Sequence, residues 1–147
     1  MVMSAIEIAE EWSKDAIVDE TSVAKELLRT PKLHAKYVKW GAENSLMSKK
    51  RMVDFTKLRA VKWEYYGGKM SKEDLDDRGW KPFLLTVTTR DGIERYIEKD
   101  EDLSKILLDK AHYDEAAQMC RDIVKELNSR TYALRAWVDY QKYLLGN

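Results

Sequence analysis

Cysteine, histidine and long apolar runs are what this sequence has least of, and each shortage closes off a class of chemistry. The single cysteine, Cys120, allows no internal disulfide, and the two histidines, His34 and His112, stand alone without a zinc-ligand cluster. Cys120 therefore reads as a core residue. No apolar stretch approaches the roughly 18 to 20 residues that span a bilayer. The acidic start, with Glu7, Glu10 and Glu11, lacks the basic opening of a signal peptide, so a soluble, intracellular protein is expected. Net charge is missing too: 26 Lys and Arg balance 26 Asp and Glu. The 147 residues fit one compact domain, or a small module with an assembly element. With 35% charged residues the composition argues against a deep core in a lone monomer, and long charged helices point to self-association.

The neutral total hides segregation. Residues 25 to 72 hold 13 Lys and Arg against 4 Asp and Glu, a balance of +9, whereas residues 1 to 24 and 73 to 109 each balance to −5. Tyr37, Trp40, Phe55, Trp63, Tyr65 and Tyr66 lie in the same basic block. Cations interleaved with flat rings can follow a phosphate backbone while stacking on bases. A solvated helix face is the competing reading.

Helical spacing of Ile6, Ile8, Ala9 and Trp12 predicts a short helix or arm from Ala5 to Ala16, and Asp19 to Thr21 punctuates the chain before a second start. Thr30-Pro31 resembles an N-cap with proline at the first helical position, so the main helix is expected to open there and run to Tyr66. Gly67-Gly68 ends it, and Gly41 marks a place for a kink. At 100° per residue, Lys36, Lys39, Lys50 and Lys57 fall within about 40° of Lys32, a lysine ridge roughly 38 Å long. A quarter turn away runs an apolar seam through Leu33, Tyr37, Trp40, Met47, Phe55, Leu58 and Tyr65, interrupted by Asn44, Arg51 and Lys62. At its end Arg59, Lys62, Trp63, Tyr65 and Tyr66 crowd beside a Gly-Gly-Lys69 loop.

Beyond that loop, Glu73, Asp74, Asp76 and Asp77 read as solvated. Phe83 to Thr89 alternates like a strand, Asp91-Gly92 suits a type I′ turn, and Ile93 to Ile97 should return as the antiparallel partner. Leu103, Ile106, Lys110, Tyr113, Ala117, Cys120, Val124 and Leu127 then form a heptad seam. Asn128-Ser129 reads as a break, followed by a last helix with the stripe Ala133, Ala136, Trp137, Tyr140, Tyr143 and Leu144, ending at Gly146.

The sequence holds no recognisable catalytic constellation. Gly67-Gly68-Lys69-Met70 lacks the earlier glycine of a phosphate loop and the hydroxyl that would meet magnesium, and Glu98-Lys99 has no paired carboxylate beside it. No nucleophile arrangement is present either. No enzyme and no cofactor are expected. Two rival classes stay open: a helical adaptor whose lysines are only solvated, and a metal-dependent nuclease.

Lys36-Tyr37-Val38-Lys39-Trp40, the Lys49-Lys50 pair and Trp63-Glu64-Tyr65-Tyr66-Gly67-Gly68 are followed in order by the Asp-bounded hairpin, the long later helix with its single cysteine and Ser129-Arg130, over most of residues 20 to 146. This order of features resembles the UvsY family of T-even phage recombination mediators. The family pattern has two basic residues flanking an alanine just before its acidic-Tyr-Tyr. Here that stretch is Ala60-Val61-Lys62, with Arg59 one residue earlier. The resemblance implies rings of six or seven subunits that bind single-stranded DNA and help a RecA-like recombinase displace the single-strand-binding protein, in the cytoplasm of an infected bacterial host.

Together these readings predict a mainly α protein with a small β-hairpin, an α+β chain assembling as a homo-oligomeric ring. Residues 1–20 would be an acidic arm, 21–99 the DNA-binding region with the hairpin, and 100–147 the assembly region. The DNA-facing set is Lys32, Lys36, Lys39, Lys49, Lys50, Lys57, Arg59, Lys62, Tyr65, Tyr66 and Lys69. The assembly set is Leu103, Ile106, Tyr113, Ala117, Val124, Leu127, Trp137, Tyr140 and Leu144.

Overall fold

The structure, a computed structural model, describes residues 2–85 and 87–146. It consists of α1 (Ala5–Asp15), a 3₁₀ turn (Glu20–Ser22), α2 (Val23–Tyr66), α3 (Lys72–Arg78), α4 (Arg90–Lys99) and α5 (Glu101–Leu144). Packing gathers the chain into two compact units, Met1–Met47 with His112–Asn147, and Ser48–Ala111. In the first, Ile8, Leu33, Tyr37, Ala116, Cys120, Ile123 and Leu127 form the core. In the second, Ile93, Ile97 and Leu103 pack with Phe55, Leu58, Trp63, Tyr66 and Val87. Among the described residues no helix is long and apolar enough to cross a membrane.

The expected hairpin does not form, and no strand is present among the described residues. Thr89 decides the matter locally. Its side chain accepts from the Gly92 N–H, an N-cap that places Asp91 in the first turn of α4 instead of a hairpin turn. Ile93 and Ile97, four apart, satisfy either an alternating or a helical pattern, and as a helix both reach the core. Glycine at position 92 is required by this cap: a Cβ there would meet Val87 Cγ1 at 2.7 Å and Thr89 Oγ1 at 2.8 Å. Residues 83–85 run as irregular chain with Leu84 and Leu85 exposed.

Three helix boundaries also move. α2 opens at Val23, behind a 3₁₀ turn capped by Asp19, and carries Pro31 inside it. Thr30 is not its cap; the hydroxyl donates to the Glu26 carbonyl one turn back. A proline inside a helix costs about 3 kcal/mol. Tertiary contacts of the preceding turns offset that cost: Val23 is buried, and Glu26 pairs with Arg130. α5 runs unbroken through Asn128-Ser129, because Arg130 donates to the Asp15 carbonyl and Glu26 while Leu134 is buried in the next turn. The acidic stretch after the Gly-Gly loop folds as α3, capped by Ser71 and closed by Gly79 at φ 68°, with its four carboxylates exposed as expected.

Gly41 carries a close approach within a helix that continues past it. A Cβ at this position would lie 3.0 Å from the Cβ of Cys120, which is fixed to the backbone of α5 and cannot swing away. Gly41→Ala should gain about 1 kcal/mol of helix propensity and lose about 1 to 3 kcal/mol to overpacking. A lowered melting temperature is the expected result, and a raised one would show that the two helices can part.

Candidate nucleic-acid interface

The three polar interruptions of the α2 apolar seam each hold a tertiary contact. Asn44 donates to the Met3 carbonyl at 3.0 Å, and Arg51 donates to Asp109. Lys62 lies 3.0 Å from Asp100 and 2.9 Å from Asp102. Their neighbours on the helix form two aromatic and ionic clusters, one in each unit.

In the first unit, Tyr37 is fully buried between the edges of Trp12 and Trp40, with ring centroids 5.6 and 5.3 Å away. Its hydroxyl donates to Asp15 at 2.7 Å, and Lys36 joins Asp15 and Glu11. Burial opposes ionisation of Asp15, yet the bonds from Lys36 and Tyr37 outweigh it and hold the carboxyl below its ordinary value. Burial and the adjacent Asp15 both push the Tyr37 hydroxyl up. Cys120 is pushed up to about 11 by burial alone among its raising causes, so it is an unreactive core thiol.

In the second unit, the Lys62 side chain is 7% exposed and that of Asp100 3%. Asp100 accepts from the Tyr66 hydroxyl and from the Leu103 N–H, capping α5. Desolvation works against the charges of both Lys62 and Asp100. The hydrogen bonds prevail, holding Asp100 below and Lys62 above their ordinary values. The Tyr66 ring stacks on Tyr96 at 5.5 Å and meets Phe83 edge-on, while Tyr65 touches Trp80 and Phe83. Arg59 pairs with Glu94 and lies over the Trp63 ring.

The expected DNA-facing set thus divides. Lys32, Lys49, Lys50, Lys57 and Lys69 are exposed and make no ion pair among the described residues. Lys39 is exposed with a loose contact to Glu43 at 4.0 Å. Lys36, Arg59 and Lys62 are engaged with carboxylates, and Tyr65 and Tyr66 are half-buried in the ring cluster. Of the expected assembly set, Leu103, Ala117 and Leu127 are buried within the single chain, and Ile106, Tyr113 and Val124 are half-buried. Trp137, Tyr140 and Leu144 are exposed, as are Tyr143 and Leu145.

Two residues beside the basic helix escaped the sequence reading. Trp80 receives the Lys62 ammonium at 4.2 Å from its ring and the Arg78 guanidinium at 5.2 Å. The signal was available in Ser71 and Gly79, a cap and a stop bracketing seven residues, which turn an apparently loose acidic loop into a helix that returns Arg78 to α2.

An all-helical protein that engages part of its basic surface internally and leaves a run of lysines on α2 unpaired is the class defined by these features. Residues 11–147 match the family described as "Recombination, repair and ssDNA binding protein UvsY", and the chain belongs to that family. The fold agrees. One crystal structure of the bacteriophage T4 recombination mediator protein UvsY superposes with a TM-score of 0.84 at 15% identity, covering 96% of this chain and 99% of that one. A second, in another lattice, gives 0.81 at 14% identity over 97% and 98%. No curated protein matches the chain.

Proposed function

We propose that this protein is a recombination mediator without catalytic activity of its own. It binds single-stranded DNA and helps a RecA-like phage recombinase displace single-strand-binding protein and nucleate its filament, in the cytoplasm of the infected host. The observation that carries the reading is the set of exposed, unpaired lysines on α2, in a member of a family described as binding single-stranded DNA. Lys32, Lys39, Lys49, Lys50, Lys57 and Lys69 are the backbone contacts in this reading. Lys36, Arg59, Lys62, Tyr65 and Tyr66 support the surface from within.

Assembly is assigned to the end of α5. Trp137 borders an open hollow of about 570 Å³ shared with Trp12, Val23 and Leu134. Tyr140, Tyr143, Leu144 and Leu145 continue the apolar surface beyond it. Apolar side chains gathered at the exposed end of α5 suit burial by a second copy. A ring of six or seven subunits would repeat the lysine track and raise avidity through effective concentration.

Titration of an oligonucleotide at several salt concentrations tests the DNA reading. Wild-type protein should bind single strands with little sequence preference. Replacing Lys49, Lys50 and Lys57 with alanine should lower the log-log salt slope by about 2, near 0.7 for each phosphate no longer neutralised. Affinity at moderate salt should fall tenfold or more. An unchanged slope in the triple variant would mean the lysines are only solvated, as in a helical adaptor.

A further inference from the structure

We infer that Arg78, held by Trp80, completes a nucleotide-sized subsite with Lys57; this rests on the single-stranded DNA reading above. Lys57, Leu58 and Val61 of α2, Ile106 of α5 and Arg78 of α3 line a groove of about 390 Å³ in the second unit, with Asp54 at its side. The volume falls in the range of small-ligand clefts. Its composition is that of a site for a phosphate joined to an apolar body: two cations together with three aliphatic side chains.

Both cations are available. Lys57 and Arg78 are exposed and make no ion pair among the described residues, although Asp74 stands one helical turn before Arg78. The guanidinium is turned instead toward the Trp80 indole, 5.2 Å from the ring centroid. That indole is itself fixed, with Tyr65 at 5.2 Å and the buried Lys62 at 4.2 Å. A guanidinium resting on a ring keeps its hydrogen-bonding edge free and loses less freedom when it grips an anion. Asp54, the one carboxylate lining the groove, is engaged by Arg51 at 2.8 Å, a guanidinium it shares with Asp109. The occupant is one residue of a nucleic acid strand, its phosphate taken by Lys57 and Arg78 and its sugar or base lying over Leu58, Val61 and Ile106. A duplex keeps its bases stacked and paired and cannot lower one into such a groove, so the occupant is single-stranded.

Anisotropy titrations with a labelled oligo-dT, using the full-length wild type, Arg78→Ala and Arg78→Lys, test the subsite. Arg78→Ala should weaken binding about tenfold and lower the salt slope by about 0.7, the value for one phosphate. Arg78→Lys should restore the slope but not the full affinity, because lysine carries the charge without the planar fork. Solution mass should stay that of wild type in both. If wild type binds and Arg78→Ala matches it in affinity and slope, the subsite is wrong while the mediator reading stands. If wild type itself ignores single strands, both fall. A loss of affinity accompanied by loss of mass would overturn the subsite by placing Arg78 in a subunit contact.

Discussion

Replacing Lys62 with methionine should lower the unfolding free energy by about 3 to 5 kcal/mol, the cost of leaving a buried charge without its partner. That is a large share of the roughly 5 to 15 kcal/mol that stabilises a typical domain. Asp100, with its side chain 3% exposed, would keep the Tyr66 hydroxyl and the Leu103 N–H but lose the compensating ammonium. Urea unfolding measures the loss. Adding Asp100→Asn should recover much of it, since the amide oxygen can still cap α5 while the uncompensated charge is gone. The pH dependence has a defined sign. Asp100 is held below its ordinary value, so its contribution is present above the ordinary carboxyl range and lost as pH falls through the lowered native value. Lys62 is raised, so its contribution is present below the ordinary lysine range and lost as pH rises through the raised one. The deficit of the Lys62 variant should therefore shrink in acid, where Asp100 takes up a proton. A variant as stable as wild type but weaker on single-stranded DNA would return Lys62 to the DNA-contacting set.

Exchanging Trp137 and Tyr140 for glutamate should reduce the assembly to monomers or small species. Both side chains are open to solvent in the single chain, at 38% and 57% exposure, so the glutamates cost little in the protomer and helicity should be retained. Within a subunit contact, each large apolar side chain removed forfeits about 1.5 to 3 kcal/mol of burial, and a desolvated carboxylate adds a further penalty. Freed protomers keep Lys49, Lys50 and Lys57 but lose the repeated track, so DNA affinity should drop with the mass. Light scattering beside the titration separates the outcomes. A native mass would move assembly away from the end of α5. A monomer with full affinity would uncouple assembly from binding.

Legibility followed the reach of the interactions involved. α1 was readable because Ile6, Ile8, Ala9 and Trp12 repeat at helical spacing within one short segment. The end of α2 was readable because a Gly-Gly pair supplies a left-handed residue at a helix C-terminus, here Gly68 at φ 70°. The hairpin reading failed at Thr89: Asp91-Gly92 is a turn pair in an isolated strand context, and the cap from Thr89 turned it into a helical first turn. The lysine ridge was correctly spaced, but spacing on a helix does not say which cations a distant carboxylate engages. Lys36 meets residues 25 and 21 positions before it, and Lys62 residues 38 and 40 positions after it.

Segregation of charge, the helical character of most of the chain, the burial of Cys120 and the family were all legible in the order of residues alone. These follow from composition, period and residue order, which are properties of the chain before it folds. Packing settled which positive charges remain available, where α2 begins and that α5 runs on through Asn128-Ser129. Pro31 stays inside a helix, and Asn128-Ser129 fails to break one, because Val23, Glu26, Arg130 and Leu134 find partners that outweigh local preference. The placement of Lys62 and Arg78 has the same cause. One is drawn into a buried carboxylate pair, and the other is brought back to α2 by a helix of seven residues, because the energy of a charge is set by its neighbours in space.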